Sequence, residues 1–214
     1  MTKIKICGLT NPEDARLAVE FGADAIGFIF SESPRKITQK EAEKIIREIP
    51  PFVVKVGVFV NERAERVKQL AEELNLDLLQ FHGQESRDYL EQFRGKGYKA
   101  FRLKHHSDLQ QIADSGYHFF LLDSAEKGKP FDWNMAVRAK RFGKFFLGGG
   151  LTPDNVNLAL EKVRPYGVDV CSGIELRPGK KDQKKMKEFI RRIREWDCQQ
   201  ADSENSADVL FPKR

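Results

Sequence analysis

The segment FVVKVGVFV, residues 52–60, carries the clearest structural signal in the chain because it is apolar almost without interruption. A strand that faces solvent on one side alternates apolar and polar residues, whereas a strand buried on both sides is a continuous apolar run. Continuous runs of this kind are typical of parallel sheets covered by helices on both faces. The segment therefore predicts a buried strand in a parallel sheet.

Similar short runs, rich in valine, isoleucine and phenylalanine, recur along the whole chain. With the segment above they make eight predicted strands: Lys3–Cys7, Ala25–Phe30, Val53–Val60, Asp77–Phe81, Tyr98–Leu103, His118–Asp123, Lys144–Leu147 and Val168–Cys171. The segments between them have helical periodicity, and the first begins with Pro12, a residue favoured in the first turn of a helix. Strands that alternate with helices pair in parallel.

Eight such units in 214 residues predict an α/β fold, a single-domain (β/α)8 TIM barrel over residues 1–196, near the lower size limit of that fold. An open doubly wound sheet is the alternative. The count of eight and the lack of a GxGxxG turn after the first strand argue against it. From Asp197 to Arg214 the apolar periodicity ends, and we expect a poorly ordered polar tail at 197–214.

The composition excludes several classes of protein. Hydrophobic residues make up 40% of the chain and charged residues 32%, which is typical of a soluble globular protein. No apolar run approaches the roughly 18 residues of a membrane span, and the N-terminus lacks the pattern of a signal peptide. Three scattered cysteines and four histidines match neither a disulfide framework nor zinc spacing. We therefore expect a reduced, cytoplasmic protein with no membrane partner and no metal.

The positive charge is concentrated near the C-terminus. Between Arg177 and Arg194 there are nine basic and two acidic residues, whereas the net charge of the whole chain is only +5. Such a cluster can bind nucleic acid. Apolar residues recur at helical spacing through the same stretch, however, from Met186 to Trp196. We therefore expect the solvated face of an amphipathic helix and no nucleic-acid partner.

The active site of a (β/α)8 barrel lies at the C-terminal ends of its strands. In this chain those ends supply a thiol at Cys7, a guanidinium at Arg35, an imidazole at His82 and a carboxylate at Asp123. Glycine-bearing loops follow the last two strands. This set of groups favours proton transfer on an anionic substrate.

The two glycine-bearing loops are Gly148–Gly150 and Ser172–Gly173. Loops after strands seven and eight are where this fold commonly binds phosphate. Glycine lets the backbone approach a ligand closely, and backbone N–H groups are donors for an anion. The alternative is a pair of tight turns, but the occurrence of glycine in both loops favours a phosphate site.

Cys7 and Asp123 are the candidate acid–base pair. A free cysteine is more often a small buried hydrophobe than a catalyst, and an aspartate at a strand end can simply cap the next turn. Similarly, His82 can line the pocket or, more commonly, satisfy a backbone group. The residue pattern alone leaves all three roles open.

Several motifs give the chain a specific resemblance to a known family, that of the phosphoribosylanthranilate isomerases of tryptophan biosynthesis. The motifs are KICGLT at 5–10, GADAIGFIF at 22–30, SPRKIT at 33–38, VGVFVN at 56–61, LQFHG at 79–83, LLDS at 121–124, KPFDW at 129–133, GGGLTPDNV at 148–156 and GVDVCSGIE with PGKKD at 167–182. No one motif is diagnostic, but their combination is highly specific.

The resemblance implies a cofactor-free aldose–ketose isomerase that performs an Amadori rearrangement on a small phosphorylated substrate. Asp123 would be the general acid and Cys7 the general base. Arg35 would pair with the anthranilate carboxylate, and the glycine loops would hold the phosphate. The residues expected to bind substrate are Arg35, His82, Gly148, Gly149, Gly150, Asp169, Ser172 and Gly173. The protein is expected to act as a monomer or homodimer.

The chain departs from the family pattern in three places. The loop after Asp123 is shortened to residues 124–130, Cys171 replaces a serine, and Gly148 replaces another serine. None of these changes removes a proposed acid, base or carboxylate anchor. Two alternatives stay open: a histidine-pathway type of sister isomerase, against which Cys7 argues, and a basic nucleic-acid-binding protein on an inactive barrel.

Overall fold

The structure is a computed structural model that describes residues 1–126 and 129–210. Eight parallel strands form a closed barrel in which each strand pairs with the next and the last pairs with the first. They are β1 (Lys3–Cys7), β2 (Ala25–Ile29), β3 (Val54–Phe59), β4 (Leu78–Phe81), β5 (Gly97–Leu103), β6 (Phe119–Ser124), β7 (Lys144–Leu147) and β8 (Gly167–Val170). The predicted (β/α)8 barrel is confirmed, and each predicted strand end lies within one residue of its observed position.

A helix follows every strand on the outside of the barrel. The helices are α1 (Pro12–Glu20), α2 (Gln39–Ile46), α3 (Ala64–Glu73), α4 (Arg87–Glu91), α5 (Leu109–Ser115), α6 (Trp133–Ala139), α7 (Val156–Val163) and α8 (Gln183–Leu210). Local sequence sets their starts: Asn11 accepts the Asp14 N–H at α1, and Thr38 forms a capping box with Glu41 at α2. None of the helices within the described ranges is both long and apolar enough to cross a membrane.

Two apolar layers hold the barrel together. The larger layer lies between strands and helices, and the smaller one fills the barrel interior with Ala25, Val56, Tyr98, Ala100, Leu121 and Phe146. Successive residues of a strand point to opposite faces, so Lys5 and Cys7 share one face of β1. Lys5 is paired in the ladder with Ala25 of the inner layer and Cys7 with Gly27. That face therefore points into the barrel, and Cys7 lies toward its C-terminal end.

Helix α8 is the last of the helices on the outside of the barrel. Its apolar stripe, Met186, Phe189, Ile190 and Ile193, is buried, which confirms the predicted amphipathic helix. The helix continues to Leu210, so the polar tail expected from Asp197 begins inside it. The Asp197 carboxylate accepts the Thr2 N–H at 2.9 Å and the Thr2 hydroxyl at 2.8 Å. The order of the rest of the tail stays a prediction, and residues 211–214 lie outside the described residues.

Candidate active site

Cys7 is buried at the end of β1, with 5% of its surface exposed, beside the thiol of Cys171. Two glycines make room for these sulfurs. A Cβ atom at Gly27 would lie 2.8 Å from the Cys7 Sγ, and one at Gly8 would lie 2.9 Å from the Cys171 Sγ. Because such approaches are too close for carbon, a side chain at either glycine would displace a thiol.

The surroundings of Cys7 favour its thiolate. Hydrogen bonding from the Cys171 side chain and the positive charge of Lys5 outweigh burial and lower the pKa of Cys7 to about 7. The same hydrogen bond, together with burial, raises the pKa of Cys171 well above its usual value. The two thiols are therefore unequal: near neutral pH Cys7 carries the negative charge and Cys171 keeps its proton.

Lys5 supplies a fixed charge beneath Cys7. Its side chain is 1% exposed, and its Nζ lies 2.8 Å from the Asp169 Oδ1, on the neighbouring strand β8. Burial lowers the pKa of Lys5, but the negative charges of Asp169 and Cys7 outweigh that effect and raise it. Asp169, which the family resemblance places in the substrate site, therefore serves as the counter-ion of Lys5 in this structure.

Arg35 lies at the rim, held by Glu175. The Arg35 Nε and Nη2 donate to the Glu175 carboxylate at 2.7–3.0 Å, and the Lys181 Nζ lies 3.0 Å from the Glu175 Oε1. Although burial raises the pKa of Glu175, the hydrogen bonds from Arg35 and the charge of Lys181 keep it below its usual value. The outer edge of the guanidinium is left for a second carboxylate, because both bonds to Glu175 use the Nε–Nη2 edge.

Glu175 and Lys181 belong to a small hairpin beside this pair, formed by β9 (Glu175–Arg177) and β10 (Lys180–Lys181). The Thr10 hydroxyl after β1 donates to the Gly179 carbonyl in the turn of the hairpin at 2.5 Å. A cleft of about 590 Å³ lies between the hairpin and the loops after β1 and β2. Lys36, Arg177 and Lys180 line it together with Glu13, which pairs with the Lys180 Nζ at 2.9 Å, so the lining keeps a net positive charge.

Asp123 lies on β6, and its side chain is 27% exposed. Its Oδ1 accepts the Ser124 N–H at 2.8 Å, and its Oδ2 lies 3.2 Å from the His82 Nε2. That distance is typical of an ion pair, but the ring N–H is not aligned with the oxygen, and the nitrogen makes no hydrogen bond within the described residues. Asp123 is therefore more exposed to solvent than Cys7.

The orientation of His82 is set from inside the barrel. The Tyr98 hydroxyl donates to the Gln80 Oε1 at 2.9 Å, so the Gln80 amide nitrogen faces the His82 Nδ1 at 3.4 Å. An amide donor at Nδ1 places the ring proton of a neutral histidine on Nε2, the nitrogen that faces Asp123. Within the described residues the His82 ring makes no hydrogen bond to a backbone group, so the role of satisfying one is not seen there, and the place of His82 in the substrate pocket stays a prediction.

The glycine loop after β7 touches Asp123. Gly149 and Gly150 have φ values of +79° and +70°, and a Cβ at Gly149 would lie 2.9 Å from the Asp123 Oδ1. Glycine adopts this backbone region without strain. Within residues 1–126 and 129–210, neither the Gly149 N–H nor the Gly150 N–H donates to a protein acceptor. Both donors are therefore free for an anion.

The loop after β8 packs against this first glycine loop. Gly173 lies against the Leu151 carbonyl so closely that no side chain would fit there, and Ser172 next to it is exposed. Asn155 braces the first loop, since it accepts the Thr152 N–H at 2.8 Å and donates to the Gly150 carbonyl at 2.9 Å. The two loops thus form one continuous backbone surface at the end of the barrel.

The structure brings the predicted site residues to one end of the barrel but shows partners that the sequence reasoning missed. Lys5, Glu175 and Lys181 make the contacts that set the charge of Cys7 and the position of Arg35. A signal for Lys5 was present, because the alternation of KIKIC puts Lys5 and Cys7 on the same face. Part of the shortened loop after Asp123, Lys127 and Gly128, lies outside the described residues. Across the described part of the chain, no group of three His, Cys, Asp or Glu residues is placed to hold a metal ion.

Comparison with known proteins identifies the family. The family described as N-(5'-phosphoribosyl)anthranilate (PRA) isomerase matches residues 4–192. The N-(5'-phosphoribosyl)anthranilate isomerase of Trichlorobacter lovleyi is 49% identical over 203 residues, 91% of this chain and 99% of that protein. The crystal structure of phosphoribosyl anthranilate isomerase from Thermotoga maritima is 40% identical, with a TM-score of 0.86 over 90% of this chain and 98% of that one.

A second solved phosphoribosyl anthranilate isomerase was crystallised in complex with reduced 1-(o-carboxyphenylamino)-1-deoxyribulose 5-phosphate. It is 39% identical, with a TM-score of 0.84 over 90% of this chain and 98% of that chain. The match to the family extends from β1 into α8 and includes every strand that carries a candidate site residue. The chain therefore belongs to the N-(5'-phosphoribosyl)anthranilate isomerase family.

Proposed function

We propose that the protein converts N-(5'-phosphoribosyl)anthranilate to 1-(2-carboxyphenylamino)-1-deoxyribulose 5-phosphate, an Amadori rearrangement of tryptophan biosynthesis. Membership of the family and the likeness to an enzyme crystallised with the reduced product support this assignment. The observation that carries the site assignment is the position of the Cys7 thiol beside a buried lysine: a carbon at Gly27 would lie 2.8 Å from the Cys7 Sγ and 3.3 Å from the Lys5 Cε. The charge of Lys5 favours the thiolate of Cys7, as a general base working near neutral pH requires.

Asp123 is the general acid. It donates a proton to the furanose ring oxygen, the bond from that oxygen to C1' breaks, and a Schiff base forms between C1' and the anthranilate nitrogen. The partly exposed carboxyl group and the adjacent Gly149 support this role, because the phosphate loop then positions the sugar beside the acid.

Cys7 is the general base. Its thiolate removes the C2' proton of the Schiff base to give an enolamine, which tautomerises to the ketone of the product. Lys5 and Cys171 are positioning residues in this step, since they stabilise the thiolate without needing to touch substrate. A thiolate prepared before substrate binds avoids a separate deprotonation step.

The substrate's two anionic ends match two parts of the site. The free edge of Arg35 binds the anthranilate carboxylate, while the backbone N–H groups of Gly149, Gly150 and Gly173 bind the phosphate with the Ser172 hydroxyl. Gly148 begins this loop directly after β7, and its N–H donates to the Leu122 carbonyl at 2.7 Å. His82 lies between the two ends, beside Asp123.

The test is the loss of anthranilate fluorescence when purified protein meets freshly generated N-(5'-phosphoribosyl)anthranilate. Wild-type protein should remove the signal rapidly, and Cys7→Ala and Asp123→Asn should each be slower by at least about 100-fold. Cys198→Ala and Asp88→Asn are matched controls, because both residues are exposed and lie on the outer helices. Wild-type rates in both active-site variants would contradict the acid–base assignment.

The remaining proposals concern the class of substrate, the cellular location and the oligomeric state. The proposed substrate is a small phosphorylated molecule, and the proposed setting is the cytoplasm. We propose a monomer or a homodimer; among the similar solved structures are monomers generated from the dimeric enzyme of Thermotoga maritima. Light scattering on the purified chain measures its mass in solution and separates these two states.

A further inference from the structure

Two of the three cysteines lie side by side at the open end of the barrel. Strands β1 and β8 pair in parallel through Lys5 with Asp169 and Ile6 with Val170. Cys7 at the end of β1 and Cys171 directly after β8 are the residues that follow this last pair. Laterally paired residues of neighbouring strands have Cα atoms about 4.8 Å apart. A disulfide needs a Cα separation of roughly 4.4–6.8 Å, so this position suits one.

The side chains as well as the backbones are in place. The Cys171 Sγ rests against Gly8, the residue that follows Cys7, since a carbon at Gly8 would lie 2.9 Å from it, and it lies 4.0 Å from the Glu175 Oε1. Cys171 is half-buried and its neighbour Ser172 is exposed, so the two cysteines lie near the open end of the barrel. The third cysteine, Cys198, is exposed on α8 and belongs to the outer surface.

The two thiols differ in the way that disulfide chemistry requires. The pKa of Cys7 is lowered to about 7, so its thiolate is available near neutral pH, whereas Cys171 keeps its proton. The Lys181 Nζ lies 3.8 Å from the Cys171 Sγ, which adds positive charge beside the pair. Reactive cysteines that sense oxidants combine a low-pKa thiolate with an adjacent second thiol.

The geometry points to a redox modification site: hydrogen peroxide or another small hydroperoxide converts Cys7 and Cys171 to a reversible disulfide. The Cys7 thiolate attacks a peroxide oxygen, the O–O bond breaks, and the leaving hydroxide takes a proton to become water. The Cys171 sulfur then attacks the Cys7 sulfenic acid; the S–S bond forms, the S–O bond breaks, and a second water leaves with the Cys171 proton. The two thiols lose two electrons in total, which reduce the peroxide.

The consequence for activity rests on the proposed function. A disulfide occupies the lone pair that Cys7 would use to remove the C2' proton, so the oxidised protein has no general base. Exchange with a small dithiol restores both thiols. The serine that the family pattern places at position 171 could not form this bond, so the site would be a property of chains with Cys171.

The test counts thiols and weighs the intact chain after treatment with a small molar excess of hydrogen peroxide. Wild-type protein should fall from three free thiols to one and lose the mass of two hydrogens, with the cross-linked peptides containing Cys7 and Cys171. A dithiol should reverse the change. Cys198→Ser, the control, should form the same disulfide. Cys171→Ser should instead gain oxygen atoms at Cys7, which a dithiol does not remove once two have been added.

Activity is measured on the same samples. Disulfide formation should lower turnover at least about 10-fold, and reduction should restore it. Three free thiols in the treated wild-type protein, a disulfide to Cys198, or the same oxygen addition in wild type and Cys171→Ser would each overturn the inference. A disulfide in a protein without isomerase activity would uphold the modification site and contradict the proposed function, so the two failures are distinguishable.

Discussion

The two halves of the candidate site are built differently, although both lie at the same end of one barrel. One half, the base side, consists of the residues around Cys7. There a buried lysine and a neighbouring thiol lie beside the Cys7 side chain, and Cys7 is 5% exposed. The other half, the acid side, consists of the residues around Asp123. The Asp123 side chain is 27% exposed, and its carboxylate accepts a hydrogen bond from the Ser124 backbone N–H. The protein thus favours the ionised form of the proposed base in advance, whereas the proposed acid is more exposed to solvent.

This difference predicts how the two sides respond to change. A substitution on the base side should alter the pH dependence of the reaction, because it changes a pKa that the folded protein holds in place. A substitution on the acid side should mainly alter the alignment of acid and sugar. Because Asp123 is more exposed than Cys7, we expect substitutions beside Asp123, other than loss of its carboxylate, to have smaller effects unless the backbone itself moves.

Among substitutions that leave Cys7 and Asp123 in place, the largest effect is expected at Gly149. Gly149→Ala places a carbon 2.9 Å from the Asp123 Oδ1 and 2.5 Å from the Ser124 nitrogen, at a φ of +79° that alanine rarely adopts. Because both the acid and the phosphate loop must shift, kcat/KM should fall about 100-fold. Gly148→Ala is the matched variant: its added carbon has no neighbour nearer than 3.3 Å, so its loss should be only a few-fold. Equal losses in the two variants would contradict this account of the loop.

The next effect is expected at Lys5. Lys5→Met keeps the length of the side chain but removes the ammonium that lowers the pKa of Cys7. The rising limb of kcat/KM against pH should move upward by about one pH unit, which lowers activity at pH 7 about 5-fold. Activity should recover at higher pH, because the thiolate then forms without Lys5.

A control is needed because Lys5→Met leaves the Asp169 carboxylate buried without its partner. The double variant Lys5→Met/Asp169→Asn removes both charges. Thermal unfolding should show that it regains part of the stability lost in the single variant. The pH profile should stay shifted upward, but by less than in the single variant, because the Asp169 charge raises the pKa of Cys7. An unshifted profile in both variants would show that Lys5 has only a structural role.

Arg35→Lys should act on binding. Lysine keeps the positive charge but cannot hold Glu175 along one edge and a substrate carboxylate along the other. We expect KM to rise about 10-fold with a smaller change in kcat, since a lost charge-assisted hydrogen bond costs on the order of 1.5–3 kcal/mol. Steady-state kinetics with Arg16→Lys, a change at an exposed residue, as control measure the split. A fall confined to kcat would remove Arg35 from the binding role.

The smallest effect is expected at His82. Its Nε2 lies near Asp123 without an aligned hydrogen bond, so His82→Asn removes a weak contact from a partly exposed group. We expect kcat/KM to fall about 3-fold, similar to the loss of an exposed ion pair. A loss larger than about 30-fold would show that the ring takes part in the acid step and that the two sides are more alike than the structure indicates.

The sequence predicts the barrel and its chemical groups well for one physical reason. Buried parallel strands are continuous apolar runs, so their ends can be located along the chain, and the fold brings those ends together. Cys7, Arg35 and Asp123 were found in this way, each beside the end of a strand. The resemblance to the family then gave these residues their roles.

The partners of these residues were harder to predict because they come from distant parts of the chain. Glu175 is 140 residues from Arg35, and Asp169 is 164 residues from Lys5. Periodicity shows which face a residue occupies but not which distant side chain it meets. Asp197 is a similar case, because it begins the polar segment that was predicted to be a poorly ordered tail. Its contact with Thr2 depends on the closure of the barrel, which brings the two ends of the chain together.

The titration of Cys7 tests the central claim most directly. The ultraviolet absorbance of thiolate, recorded against pH for the wild-type protein and for Cys7→Ala, isolates Cys7 by difference. A midpoint of about 7 is predicted, because Cys171 and Lys5 stabilise the thiolate before substrate binds. A midpoint at or above about 8.5, the value of an ordinary cysteine, would contradict a base that the protein prepares in advance.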